Sequence, residues 1–113
     1  MGSWPTNPEL IINGPLRDVK VRNITSGGII KLNDGYTLPR GYTFHYRPDN
    51  LSQIFTLTDD AGREQNGIGL VDIDTDLDLW VLEPGRNQIE IVGLGPEATS
   101  LVTLQWVDAY AGI

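Results

Sequence analysis

The chain reads as an all-β domain, a two-sheet antiparallel β-sandwich, on three observations. Short stretches that alternate apolar with polar residues recur at roughly 8–12-residue spacing. Turn dipeptides punctuate them, drawn from 13 Gly and 7 Pro in 113 residues. No stretch sustains a 3.6-residue apolar period between an N-cap and a C-cap, so little helix is expected. This length supports one core but not two. Residues 1–8 are set apart as leader and extended linker, and residues 9–113 form the single domain.

The element expected to organise the rest is residues 77–92, LDLWVLEPGRNQIEIV. Leu79, Trp80, Val81 and Leu82 read as one strand, Pro84-Gly85 as a type II turn, and residues 87–92 as the return strand. Ile89 and Ile91 alternate with Gln88 and Glu90, the period of a half-buried strand. A hairpin this apolar needs a second layer to cover it.

The other elements follow in chain order. Met1-Gly2-Ser3 resembles an expression leader, and Pro5 and Pro8 favour an extended lead-in. Leu10-Ile11-Ile12 is a short strand stopped by Asn13-Gly14-Pro15. Residues 16–24 set Val19 and Val21 against Asp18, Lys20 and Arg22, a strand with one wet face. Residues 25–28 turn the chain and residues 29–32 return it, before turns at Asn33-Asp34-Gly35 and Pro39-Arg40-Gly41. Residues 41–47 place Tyr42, Phe44 and Tyr46 on one face and Thr43, His45 and Arg47 on the other. Residues 53–58 form a further strand. Residues 59–67 read as a polar hairpin loop, and residues 68–73 as a strand leading into the organising hairpin. The last strand, residues 99–107, carries Val102, Leu104 and Trp106 on one face. Trp80 and Trp106 are both expected inside.

Composition excludes several chemistries. Without Cys there is no disulfide, no thiolate nucleophile and no Cys-ligated metal. No apolar run approaches the roughly 18–20 residues of a membrane span, and no secretory signal is visible. The formal charge of −7 makes nucleic acid a poor partner. It is divided unevenly: residues 1–57 hold six basic and four acidic side chains, residues 58–113 two basic and eleven acidic. If that division survives folding, it suits head-to-tail association of copies.

Candidate chemistry is sparse. Asp72, Asp74, Asp76 and Glu83 match the ligand spacing of a calcium loop, but Leu77 stands where that loop needs Gly. An extended acidic edge, turned to water and protected from stray pairing, is the competing reading. His45 is the only histidine and cannot alone build a triad or a zinc site. The run His45-Tyr46-Arg47-Pro48 is faintly similar to galectin sugar-binding motifs, though the Trp, Glu and Arg that complete them are missing. Tyr42, Phe44 and Tyr46 could stack on sugar rings, but alternating aromatics more often belong to a core. Residues 67–72 lack the third Gly and the helix of a dinucleotide site. Asn23-Ile24-Thr25 and Asn50-Leu51-Ser52 are glycosylation sequons by pattern alone. No catalytic residues, metal ligands or cofactor are assigned, and an enzyme is not expected.

As a whole the chain resembles the C-terminal, galectin-like β-sandwich domain of long-tailed phage distal tail proteins and related minor tail proteins. The resembling marks run in order. They are Ile12-Asn13-Gly14-Pro15, Val21-Arg22-Asn23-Ile24-Thr25-Ser26-Gly27, Ile30-Lys31-Leu32 and Leu38-Pro39-Arg40-Gly41. The strongest is the hairpin Asp78-Leu79-Trp80-Val81-Leu82-Glu83-Pro84-Gly85-Arg86-Asn87, similar to a W-x-L-x-P-G-x-N pattern. Val102–Trp106 and Tyr110-Ala111-Gly112-Ile113 close it. Where the family often has Asp-Thr, this chain reads His45-Tyr46-Arg47.

The resemblance implies a jelly-roll or galectin-like sandwich and a structural part of the virion. Gly14, Pro15, Asn23, Trp80, Pro84, Gly85, Asn87, Trp106 and Tyr110 would be its structural motif residues. Such a domain would be a peripheral adaptor in tail assembly or host attachment, made in the bacterial host cytoplasm and carried in the tail. Its partners would be other tail proteins, with residues 59–67 and 72–78 as the contact surface. The implied parent ring-forming domain is not seen, so these residues look like a fragment, expected to be a monomer or weak oligomer. The alternative function is carbohydrate binding to host-wall glycan, through Tyr42, His45, Tyr46 and Arg47.

Overall fold

The computed structural model describes residues 7–48, 54–97 and 100–106. Nine strands lie among them: β1 (Glu9–Asn13), β2 (Leu16–Asn23), β3 (Ile29–Lys31), β4 (Thr37–Leu38), β5 (Thr43–Tyr46), β6 (Phe55–Thr58), β7 (Glu64–Asn66), β8 (Ile89–Leu94) and β9 (Leu101–Gln105). One sheet runs β7-β6-β5-β1-β9 and is antiparallel throughout. In the second, β2 is central: β3 and β4 pair along one edge and β8 along the other. No helix among the described residues is long and apolar enough to cross a membrane.

The sheets form because the alternation in sequence matches the pleat. Leu10 and Ile12 of β1 and Val19 and Val21 of β2 are buried, and their neighbours Ile11 and Lys20 are not. Opposite them, Ile30, Leu38, Phe44, Tyr46, Phe55 and Leu57 complete a core between the two layers. Phe55 sits at its centre, 5.8 Å from the Phe44 ring and 5.2 Å from the Tyr46 ring. The chain passes from one sheet to the other at Asn13-Gly14-Pro15. Gly14 is needed there because a Cβ would lie 2.1 Å from the Pro39 carbonyl oxygen.

Several expectations are corrected. Residues 79–82 are not a strand of a hairpin: β8, the return segment, pairs with β2 instead. The Pro84-Gly85 turn is present, with Gly85 at φ 93°. Its flanks are tied by the Asn87 side chain rather than by a ladder. Residues 68–73 open with a single 3-10 turn (Ile68–Leu70), not a strand. Much of the expected 59–67 loop is a tight turn followed by β7. Trp80 is buried, at 1 % exposure, and its Nε1–H donates to the Pro8 carbonyl at 3.1 Å. Pro8, assigned to the lead-in, is itself buried within the fold. Trp106 is 53 % exposed rather than inside, because it lies beyond the end of β9, the outermost strand of its sheet.

Candidate functional site

Residues far apart in sequence meet at one junction. Asn23 closes β2 and is 2 % exposed. Its Nδ2 donates to the Val81 carbonyl at 2.8 Å and to Asn87 Oδ1 at 3.1 Å, and its Oδ1 accepts the Thr25 amide at 3.0 Å. Asn87 Oδ1 also accepts the Glu83 N–H, and its Nδ2 donates to the Glu83 carbonyl, each at 2.8 Å. Ser26 Oγ donates to the Leu79 carbonyl at 2.7 Å. A Cβ on Gly28 would lie 2.4 Å from Leu79 O and Trp80 Cα, so this turn lies flat on the tryptophan backbone. The arrangement satisfies backbone groups that no sheet ladder reaches, which is a structural task. Asn23 has its amide consumed, so the first sequon is not a glycan acceptor in the folded domain. Pro15 lies at the sheet crossing, where its carbonyl accepts the Ser100 hydroxyl at 2.6 Å. Tyr110 and Asn50 lie outside the described residues.

The acidic run is neither a free extended edge nor a calcium loop. It lies along the open side of β3: Asp72 N–H donates to Lys31 O at 2.8 Å and Asp76 N–H to Ile29 O at 2.8 Å. Thr75 Oγ1 accepts the Lys31 amide at 3.1 Å. Two carboxylates cap local turns, Asp72 toward the Asp74 amide and Asp76 toward the Leu79 amide. Lys31 Nζ reaches Asp34 at 3.1 Å, Asp74 at 3.6 Å and Asp72 at 3.9 Å. The hydrogen bond to Asp34 foremost, with the nearby charges of Asp34, Asp72 and Asp74, outweighs the opposing effect of desolvation and holds Lys31 above its ordinary pKa. Among the described residues, no group of three or more His, Asp and Glu side chains is placed to hold a metal ion.

The uneven charge of the two halves is dissolved by folding. Arg22 pairs with Glu90, Lys31 with Asp72 and Asp74, Arg40 with Glu97, and Arg47 with Glu64. Each pair joins a base of the first half to an acid of the second, so folding interleaves the two charge-bearing halves.

Of the residues expected to hold a glycan, two faces of β5 separate them. Phe44 and Tyr46 are in the core and Tyr42 is half-buried against it, so no stacking platform stands in solvent. His45 and Arg47 occupy the outer face. His45 Nε2 lies 3.1 Å from Glu9 Oε2, Arg47 Nε donates to His45 Nδ1 at 3.1 Å, and Arg47 Nη2 lies 3.4 Å from Glu64 Oε2. Glu9 and Glu64 were missed by sequence reasoning, because only the strand pairing brings β1 and β7 alongside β5. Thr56, opposite His45 on β6, is buried with no partner for its hydroxyl among the described residues.

The last surface is apolar. A cleft of about 310 Å³ opens between β8 and β9, lined by Leu16, Ile91, Gly93, Pro96, Leu101 and Val102 among others. Ile91 lies opposite Val21 and therefore faces the inner layer, yet it is 52 % exposed, because the opposing sheet stops at β9. Leu94 and Leu101 stand 55 % and 56 % exposed beside it. No protein-family model, no curated protein and no solved structure matches the chain.

Proposed function

We propose that this domain is a non-enzymatic structural component of a phage tail tip, a rigid adaptor in tail assembly or host attachment. The observation that carries the reading is the junction at which Asn23 bonds the Val81 carbonyl and Asn87, beside the Ser26 bond to Leu79. Two of the residues that carry the resemblance to tail proteins, Asn23 and Asn87, are thereby bonded to each other. Two further features support it. The core is held by packing and by side-chain ties, which gives the stiffness an adaptor needs. The β8–β9 side offers exposed apolar surface, the kind of surface by which proteins associate.

The test is localisation. An antibody raised against the domain, applied to particles induced from the strain that encodes it, labels the tail tip under this reading. Purified particles that carry no label overturn it. Hydrolysis of any glycan by the purified domain overturns the non-enzymatic part.

A second reading, glycan binding, is favoured by one observation: the outer face of the five-stranded sheet presents His45, Arg47 and Glu64 together. Tyr46 takes no part in it. Titration with bacterial wall polysaccharide gives saturable binding that His45→Ala abolishes, and absence of binding at millimolar sugar removes the reading.

A further inference from the structure

The outer-face contacts around His45 form one continuous line across the five-stranded sheet. It starts at Glu9 on β1, passes through both imidazole nitrogens of His45 on β5, and ends through Arg47 at Glu64 on β7. The polarity of this line is fixed by chemistry. A guanidinium only donates, so His45 Nδ1, which receives Arg47 Nε–H, must be the bare acceptor nitrogen. The ring proton is then on Nε2, directed at the Glu9 carboxylate. The imidazole is neutral in this arrangement, and both of its nitrogens are engaged.

We propose that the Glu9–His45–Arg47–Glu64 line is a proton-operated latch, closed while the imidazole is neutral and cut at Arg47 when it is protonated. A proton on Nδ1 sets N–H against N–H and cation against cation, so the bond to Arg47 is lost. The same proton strengthens the pairing with Glu9, because imidazolium and carboxylate then carry opposite charge. With His45 protonated, Glu64 is the one partner left to Arg47 among the described residues, and this line no longer ties β1 to β7. Among the described residues no other charged group faces this line. The other described neighbours on this face are uncharged: Ile11 opposite His45 on β1, Thr56 on β6, Asn66 on β7, and Thr103 and Gln105 on β9 among them. The Asp59–Arg63 pair at the β6–β7 turn is closed on itself at 2.8 Å.

Nuclear magnetic resonance of the intact chain tests this. A long-range proton–nitrogen spectrum at neutral pH shows the Nε2–H tautomer; the Nδ1–H tautomer overturns the proposal. On stepwise acidification from neutral pH, exchange of Arg47 Nε–H rises at least about tenfold relative to His45→Gln at the same pH, the factor that losing one such hydrogen bond brings. The core amides of Val21 and Phe44 stay protected in both proteins, which separates the latch from general unfolding. Equal Arg47 exchange in the two proteins across that range overturns the latch.

Discussion

The four-stranded sheet has two unlike sides, and their difference says more than either alone. Beside β3 the backbone is covered by residues 71–76, which carry three carboxylates and contribute bridges at Val71 and Asp76. Beyond β8 nothing described covers the strand, and apolar side chains stand in solvent. The covered side is therefore polar and tied by hydrogen bonds, and the open side is apolar and untied. An exposed sheet edge invites pairing with other chains, and proteins ordinarily blunt it with charge or cover it. Three carboxylates lie along the covered side, whereas β8 carries one, Glu90, which pairs with Arg22 of β2. A surface left apolar against that tendency is the natural place for association.

Substitutions sharpen the contrast in order of size. On the covered side, Trp80→Ala removes the largest buried side chain and the anchor on Pro8, and should cost about 3–5 kcal/mol. Urea unfolding followed by circular dichroism measures it, and a loss under about 1 kcal/mol would mean that residues 77–88 are not integral to the core. Next comes Asn23→Ala, which strands the Val81 carbonyl and the Thr25 amide and should cost about 1–3 kcal/mol in the same experiment. On the open side, Leu94→Ser should change stability by no more than about 0.5 kcal/mol while reducing self-association in light scattering at high protein concentration. A large stability loss there would show that the side is not open.

The smallest effect is electrostatic. Lys31 has a raised folded pKa, so its contribution is complete below the ordinary lysine value of 10.5 and is lost as pH climbs through the raised one. Asp59 behaves oppositely: the Arg63 amide above all, with the Ala61 amide and the Arg63 side chain, holds its carboxyl below the ordinary 3.8. Its contribution is present above 3.8 and lost as pH falls through the lowered value. Amide exchange at Asp72 and Asp76 should therefore quicken above about pH 10.5 in the native chain, and be quicker at neutral pH in Lys31→Gln. Addition of salt should shrink that second difference, because these charges are partly exposed.

The same contrast explains what was legible in the sequence. Strands β1, β2, β3 and β5 were readable because one face of each is buried and the period of two is visible. Trp80 was readable as core, and Pro84-Gly85 as a turn. Of the strand assigned to residues 79–82 only Leu82 makes a β-bridge, because an apolar run reports burial, not pairing. Asn23 and Asn87 supply by side chain the hydrogen bonds that a ladder would have supplied. Strand β7 carries no apolar residue and all three of its residues are exposed, so period gives it no signal. Trp106 fell on the correct alternation, but alternation cannot say whether the other layer extends far enough to cover it. The partners of His45 and Arg47 were hidden for a related reason: Glu9 is 36 residues from His45 and Glu64 is 17 from Arg47, and only topology unites them.

The most direct test is amide hydrogen exchange on the free domain. The account predicts that Ile29, Asp72 and Asp76 are protected like core strands, since each donates across the covered side. Along β8, protection should alternate, with amides facing β2 slow and those facing outward fast. Fast exchange at Asp72 and Asp76 together with uniform protection along β8 would contradict the assignment of one covered side and one open side.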